Sequence, residues 1–564
     1  MNQPNEQLPD ETTDLLIFGA GAAGMTAALV ASLEGLDVRL CEKSGVVGGT
    51  TSTSAGTVWI PASHQSERDN IPDSRSAAEA YLEAVVGPAD EVREAFLDTG
   101  PDVLDYLESR TDVQFVAAKI HPDYLGNQPG AAYGGRALGP PQFDGRLLGK
   151  DFERIRPPKP EFMILGGLMV TRADIPSLLK PFSSISSLRH VMSLVLRYAV
   201  DRMTRSRGTR LVMGNALVAR FLSSLKKQNV AIDYDTALRE LIVENDIVVG
   251  AVVEHEGVKR SIRARKGVIL ATGGLGWSKE LRERFFPAAT RAISLAPESV
   301  AGDGVSAAEK IGAQIDARLR SPGLWMPCSV LRKRDGTESV FPHIVLDRAR
   351  PGLLAVNATG RRFVNEANSY HDFCDTMLRT DSVPAHLICD RSFIRDYGIG
   401  LVHPGTRNLS SFIEAGYLVE GADARQLASK LSVDPDALED TIKRYNAYSL
   451  TGTDEEFGRG TTDVNRVNGD PDNHPNPCLR PLSDGPLYAV TVRPADLASS
   501  LGLRTDKDAC VLDADGEVVP GLYACGNDSV SIFGGTYPGP GTTLGPAIVF
   551  GYRAVMRAKR DELH

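Results

Sequence analysis

Residues 14–43 read DLLIFGAGAAGMTAALVASLEGLDVRLCEK, and the fold follows from how this stretch divides. DLLIFG at 14–19 is a short apolar run ending in Gly, the pattern of a buried strand entering a turn. AAGMTAALVASLEG at 22–35 predicts a helix of small residues closed by Gly35, and DVRLCEK at 37–43 predicts a second strand. Together they make one βαβ unit. Inside it, Gly19, Gly21, Ala22, Ala23 and Gly24 belong to a G-x-G-x-x-G turn, with Glu42 eighteen residues beyond Gly24. Gly19 permits the tight turn, Gly21 lets backbone approach a pyrophosphate, and Gly24 lets the helix pack close to the strand. The helix N-terminus offers amide donors and a positive dipole end. Glu42 stands where a carboxylate accepts from ribose hydroxyls. A dinucleotide site is expected, and FAD and NAD share this fingerprint.

A second Gly- and hydroxyl-rich loop follows, with Lys43 leading to Gly48, Gly49, Thr50, Thr51, Ser52 and Thr53, then Gly56 and Trp59-Ile60-Pro61. Such a loop suits a long cofactor that crosses the sheet and meets backbone and hydroxyl donors. KGVILATGG ends in Ala271, Thr272 and Gly273, and GLYACGN ends in Gly526 and Asn527; each reads as a buried strand running into glycine. A last helix is expected from Leu544 to about 560, with its N-terminus toward the cofactor. The chain has 54 Gly in 564 residues, about 10% against a usual 7% or so. Sixteen of them fall in 19–24, 48–56, 273–276, 526 and 534–551, so the excess marks backbone that touches a ligand.

The remaining pattern suggests two units. Residues 1–285 and 490–564 form a discontinuous α/β, Rossmann-like unit, and 286–489 an inserted α+β domain. Residues 76–110 predict helix with a break at Gly100-Pro101. Residues 229–270 predict a strand meander that returns to the first sheet. The segment 180–220 is mostly helical and basic, with Lys180, Arg189, Arg197, Arg202, Arg205, Arg207, Arg210 and Arg220 against Asp201. A solvated helix face is the favoured reading there, and contact with an anionic membrane surface is the alternative.

Composition narrows the function. Hydrophobic residues make 42% and charged residues 24%, ordinary globular values that exclude a disordered chain, a collagen or a coiled coil. The net charge of −10 argues against a nucleic-acid partner. Seven Cys without a CxxC and ten His without paired spacing indicate neither a disulfide framework nor a metal site. The leader MNQPNEQLPDETTD lacks the basic and apolar regions of a secretory signal, and the final DELH reads as a polar tail. A cytoplasmic protein is expected, with membrane association as the alternative.

The sequence resembles a known family. GAGAAG, Glu42-Lys43, GGTTSTSAGTVWIP, ATGG at 271–274 and GLYACGN resemble the FAD-binding domain of the fumarate reductase/succinate dehydrogenase flavoproteins, a GR2-type fold. More narrowly, GTYPGPGTTLGPAIVFGY at 535–552, GRRFVNEANSY at 360–370, HPDYLGNQPGAAYGGR at 121–136, GDPDNHPNPCL at 469–479 and GLRTD at 502–506 resemble 3-ketosteroid Δ1-dehydrogenases. The resemblance implies FAD and the removal of two hydrogens from adjacent carbons beside a ring ketone. A base takes the α proton and the β hydrogen leaves as hydride to flavin N5. It further implies Tyr370 as that base, Tyr124 as its hydrogen-bond partner, and Tyr537 with the Gly541 amide as donors to the ketone oxygen. Tyr133, in the same loop, competes with Tyr124 for the partner role. The implied partners are a steroid or other cyclic ketone and an artificial or quinone-type electron acceptor. No His lies between Glu42 and His64, so non-covalent FAD is expected.

Three departures bear on the substrate. Gly535 stands where the steroid members commonly carry His, DLASSL at 496–501 replaces a more Gly-rich stretch, and 150–210 diverges. They open the way to another cyclic ketone. A fumarate-reductase-type reaction on a small dicarboxylate is a rival reading, but it needs arginine clamps where this chain has TYPGPG. A substrate-free flavin electron carrier is a further rival.

Overall fold

The computed structural model describes residues 11–561 apart from 161–162, 172, 175–176, 179–180 and 484. Most of the polar leader, Lys180 and the last three residues of the DELH tail lie outside that set. The expected βαβ unit is present as the strand Leu15–Phe18, the helix Ala22–Leu33 and the strand Val38–Cys41. All four strand residues LLIF are buried, as a parallel strand covered on both faces requires.

This unit sits in the middle of a six-stranded sheet. The order is Ala231–Asp233, Val38–Cys41, Leu15–Phe18, Val268–Leu270, Val518–Ala524, Cys510–Leu512. Neighbours are parallel except the last pair. Segments from the start, middle and end of the chain therefore end at one edge of one sheet. In an open parallel sheet, that carboxyl edge is where ligands bind. The packing behind it is close. A Cβ on Gly19, at φ +99°, would lie 2.2 Å from the Ala271 carbonyl oxygen, and one on Gly24 would lie 1.8 Å from the Gly19 oxygen. The strands Thr236–Glu244, Ile247–His255 and Val258–Ala264 form the expected antiparallel meander.

Two details differ from expectation. The helical stretch at 76–110 forms as Arg75–Val86 and Glu91–Arg110, and Pro101 lies inside the second helix. The break comes instead at Gly87, with φ +113°, and Asp90 restarts the helix by accepting from the Val92 and Arg93 amides. Gly100 packs against Ile60 and the helix against Leu544–Arg560. That packing outweighs the hydrogen bond that proline removes. The second difference concerns the return at 490. The strand Leu487–Ser499 pairs with Ala385–Asp390 and Leu418–Gly421 along its first half and with Gly323–Arg332 along its second. Residue 490 falls inside this ladder, which holds the chain in the second sheet to Ser499.

That second sheet is antiparallel, in the order Glu338–Pro342, Gly323–Arg332, Leu487–Ser499, Ala385–Asp390, Leu353–Val356. A buried ion cluster braces it. Arg362 pairs with Glu366 at 2.8 Å and Asp454 at 2.9 Å, and Arg459 pairs with Glu366 at 3.0 Å. Among the described residues, no helix is long and apolar enough to cross a membrane.

Candidate active site

A cavity of about 900 Å³ opens at the carboxyl edge of the parallel sheet and reaches Met326, Leu497 and Ala498 of the antiparallel sheet. Gly19, Gly21, Ala22, Ala23, Glu42, Lys43, Gly49, Thr50, Thr51, Ser52, Ala271, Thr272, Gly273, Gly526, Asn527 and Leu544 line one part of it. Tyr124, Tyr370, Tyr537 and Gly541 line the same cavity. Of the site residues expected from the sequence, Gly24 alone does not line it, and the close approach to Gly19 gives it a packing role instead.

Hydrogen bonds to Glu42 and Thr51 hold the turn at 19–24. Glu42 accepts from the Ala20 amide at 2.9 Å through one oxygen and from Ser44 N and Oγ at 2.9 and 2.8 Å through the other. Thr51 Oγ1 accepts from the Ala22 amide at 3.1 Å. The helix Ala22–Leu33 has no side-chain cap of its own. Lys43 is turned to Asp303, 2.7 Å away, so at this wall it forms an ion pair. The residues fit a flavin dinucleotide. The start of this helix lines the cavity, and Ser52 Oγ is buried there without a hydrogen-bond partner among the described residues. No group of three or more metal-ligating side chains occurs among the described residues.

Asp528 is a residue the sequence reading missed. Fully buried, it accepts from Thr272 N at 2.5 Å, Thr272 Oγ1 at 3.0 Å and Gly274 N at 2.8 Å, and so holds the 271–274 loop against the 526–528 turn. Burial pushes its carboxyl up to about 6, against those hydrogen bonds. Its only sequence signal was adjacency to Asn527.

At the other end the three tyrosines meet. Ring centroids are 5.6 Å apart for Tyr124 and Tyr370, 5.4 Å for Tyr370 and Tyr537, and 5.7 Å for Tyr124 and Tyr537, the last pair nearly parallel. Tyr124 Oη donates to Tyr370 Oη at 3.3 Å. Tyr133 is 47% exposed, whereas Tyr124 is buried. The Gly541 N–H bonds no protein acceptor among the described residues.

Each tyrosine is held from behind. Tyr370 opens the helix Tyr370–Arg379, which Ser369 caps. Arg348, fully buried, fixes the preceding loop by donating to the carbonyls of Glu366 at 2.7 Å and Asn368 at 3.2 Å. The Tyr124 amide donates to Pro538 O at 2.9 Å, and so does Tyr81 Oη at 2.6 Å, which ties the Tyr124 loop to the loop that carries Tyr537. Asp123 accepts from Trp59 Nε1 at 2.8 Å and pairs with Arg136 at 2.7 Å. Arg348 and Asp123 also escaped the sequence reading, since the contacts by which they hold the site, to Glu366 and Asn368 and to Trp59 and Arg136, lie more than ten residues away.

The electrostatics favour neutral phenols. Burial, then the neighbouring Tyr124 and Tyr537, push Tyr370 well above its ordinary value. Burial raises Tyr537 too, with interactions to Tyr370, Thr542 and Thr543 working the other way. Leu295, Met326, Ile344, Leu497 and Ala498 add apolar wall, and no arginine lines the cavity among the described residues. This suits a neutral carbonyl and lacks the clamps a dicarboxylate needs. At Gly535, a Cβ would lie 2.4 Å from Ser321 O, so no histidine fits that backbone. An imidazole still stands by Tyr537. It belongs to His371, at 6.1 Å between ring centroids, and its Nδ1 accepts from Trp325 N.

Comparison with known proteins agrees with this geometry. The FAD binding domain family model matches residues 14–544. A 4-oxocyclohex-2-ene-1-carboxylate 5-dehydrogenase of Sinomonas cyclohexanicum is 37% identical over 96% of this chain and 92% of its own. A 3-oxosteroid 1-dehydrogenase of Mycobacterium tuberculosis H37Rv is 34% identical over 96% and 97%. The chain belongs to the 3-ketosteroid Δ1-dehydrogenase family of FAD-binding flavoproteins. The crystal structure of the 3-ketosteroid Δ1-dehydrogenase of Sterolibacterium denitrificans with 1,4-androstadiene-3,17-dione superposes with a TM-score of 0.90 at 33% identity, covering 97% of this chain and 99% of that one. An open flavocytochrome c3 fumarate reductase, 21% identical with a TM-score of 0.62 over 99% of this chain and 79% of its own, shares the fold. This flavoenzyme is thus an FAD-dependent oxidoreductase acting on CH–CH bonds.

Proposed function

We propose that the enzyme introduces a C1–C2 double bond beside the ring ketone of a 3-ketosteroid. The meeting of Tyr124, Tyr370 and Tyr537 at one apolar end of the cofactor cavity carries this reading. Tyr537 Oη and the Gly541 amide donate to the ketone oxygen and stabilise the charge that develops there as the α proton leaves. Tyr370 accepts that proton as its phenolate, which Tyr124 steadies by donating to it, and becomes the neutral phenol. FAD, when bound without a covalent link, supplies the acceptor for the β hydride. A quinone-type or artificial acceptor then takes the electrons onward. The packed tyrosine rings exclude water from the reacting carbons.

A second reading keeps the chemistry and changes the ring. The 37% identical relative is named for a cyclohexenone carboxylate, and Gly535 departs from the steroid pattern. Anaerobic mixing of the FAD-loaded enzyme with 3-ketosteroids and with 4-oxocyclohexanecarboxylate tests both. Bleaching of the flavin band by a steroid supports the first reading, and bleaching by the monocyclic ketone alone supports the second. No bleaching by any cyclic ketone overturns both.

A further inference from the structure

Tyr537 rides on a loop with little stiffness of its own. Gly534 and Gly535 precede it at φ +60° and +80°, and glycine leaves the backbone free to take other conformations. A donor that must meet a ketone oxygen needs that freedom removed, since a misplacement of about 1 Å costs roughly 10²-fold in rate. Part of the restraint is backbone. The Arg320 amide donates to Gly534 O at 3.0 Å, and Gly535 lies so close to Ser321 that an added Cβ would meet its backbone N at 2.6 Å. The other part is a side chain, His371.

His371 is buried and follows Tyr370 in the first turn of the helix Tyr370–Arg379. The Trp325 amide, in the strand Gly323–Arg332, donates to its Nδ1 at 3.1 Å. A backbone N–H can only donate, so Nδ1 is the acceptor and the neutral ring carries its proton on Nε2. That proton goes to the Gly535 carbonyl. The ring centroid is 6.1 Å from that of Tyr537, which is itself 5.4 Å from that of Tyr370. Burial holds the imidazole below its ordinary value and Arg320 adds to this, while Asp372, Asp375 and the bond to Gly535 work the other way.

We propose that His371 is a positioning residue for the donor to the ketone: held at Nδ1 by the Trp325 amide, it grips the Gly535 carbonyl through Nε2 and fixes the Tyr537 hydroxyl against Tyr370. Adjacent residues of one helical turn then carry both the proton acceptor, Tyr370, and the grip on the loop of the oxyanion donor. The spacing of acceptor and donor is set by this turn and not by the glycines of the loop. The catalytic meaning rests on the roles proposed for Tyr370 and Tyr537; the hold of His371 on the loop does not.

Two substitutions in the FAD-loaded enzyme separate this role from packing. In His371→Asn the amide reaches the Nδ1 position and can accept from Trp325, but Gly535 is left without its donor. Here kcat should fall by about tenfold to a hundredfold, with flavin content and melting temperature near wild type. In His371→Gln the amide nitrogen reaches the Nε2 position and can donate to Gly535, while the Trp325 amide loses its acceptor. Melting temperature should fall, and kcat should recover most of the loss. Activity that follows melting temperature through the pair overturns the inference. So does an additive double-mutant cycle, because His371→Asn should slow the Tyr537→Phe enzyme little once the donor it positions is gone. The fluorine NMR signal of a fluorinated Tyr537 reads the loop without turnover. It should be one sharp line in wild type and in His371→Gln, and broadened or split in His371→Asn; an unchanged line overturns the inference. In wild type the ring nitrogen signals of His371 should show the proton on Nε2, and a proton on Nδ1 overturns the inference even if His371→Asn does not fold. Flavin bleaching by no ketone would sink the proposed function, and the NMR signals would still decide whether His371 fixes Tyr537.

Discussion

Tyr124 Oη donates to Tyr370 Oη at 3.3 Å across 246 positions of sequence, the two rings edge to face at 75°. Tyr370 is thereby placed to accept a proton while a neighbour solvates the oxygen that takes it. Tyr370→Phe removes the accepting atom and keeps the ring. General-base removal costs about 10²–10⁴-fold, so kcat should fall by at least that range while bound FAD stays at wild-type level. Stopped-flow reduction under substrate, with flavin content measured in parallel, checks this. Near-full activity would remove Tyr370 from the base role.

The direction of the tyrosine shifts sets a pH dependence. Burial, with Tyr124 and Tyr537 adding to it, holds the Tyr370 phenol neutral well above its ordinary value near 10. Proton abstraction should then become easier as pH rises, and kcat/KM should climb between about pH 6 and pH 9. Tyr124→Phe takes away the donor to the phenolate, so its profile should lie lower and further to the alkaline side. A flat profile in the wild-type enzyme would contradict a phenol base.

In the proposed mechanism Tyr537 donates to the ketone oxygen rather than taking the proton. Loss of one donor to a developing oxyanion costs about 10²–10³ in rate. Tyr537→Phe should reduce kcat by that factor and leave the alkaline rise in place, because Tyr370 is untouched. An unchanged kcat would leave the Gly541 amide as the remaining donor.

The parts of this enzyme legible in the sequence are those whose cause is local. The turn at 19–24 and Glu42 announce themselves within thirty residues because strand, glycine spacing and acid belong to one βαβ unit, in which Glu42 accepts from the Ala20 amide. The helix from Leu544 reads equally well. Tyr124, Tyr370 and Tyr537 carry no such local mark; only the resemblance of their surrounding segments singled them out. Asp528, Asp123 and Arg348 were invisible because each works through partners more than ten residues away, such as Thr272, Trp59 and Glu366. Pro101 misled for the same reason, since the packing that keeps its helix whole comes from elsewhere in the chain.

Asp528 offers a test of how the cofactor loops are held. Its two oxygens accept from Thr272 N, Gly274 N and the Thr272 hydroxyl. Asp528→Asn replaces one acceptor with an NH2 group that faces a backbone N–H. An unsatisfied buried donor costs about 1–3 kcal/mol, roughly five- to 150-fold in an equilibrium constant. FAD affinity, measured by flavin release on dilution, should fall within that range. Unchanged affinity would mean that the loop keeps its shape without the carboxylate.

Glu366 joins the stability of the second unit to the placement of Tyr370. Its carboxylate meets Arg362 through two 2.8 Å bonds, Arg459 at 3.0 Å and the Ala355 amide at 3.0 Å, while its carbonyl receives Arg348. Burial opposes ionisation, but Arg362 and Arg459 win and hold the carboxyl down at about 2. The unfolded value is near 4.3, so the folded one is depressed. The stabilisation is then complete above about pH 4.3 and is lost as pH falls toward 2, on the order of 3 kcal/mol in all. Glu366→Gln leaves two buried guanidinium groups short of a counter-charge, which costs about 3–5 kcal/mol. Its melting temperature at pH 7 should drop well below wild type and then change less on acidification, and kcat should fall because the loop before Tyr370 loosens. Equal melting temperatures at pH 7 would show that Asp454 and Glu456 balance the cluster without Glu366.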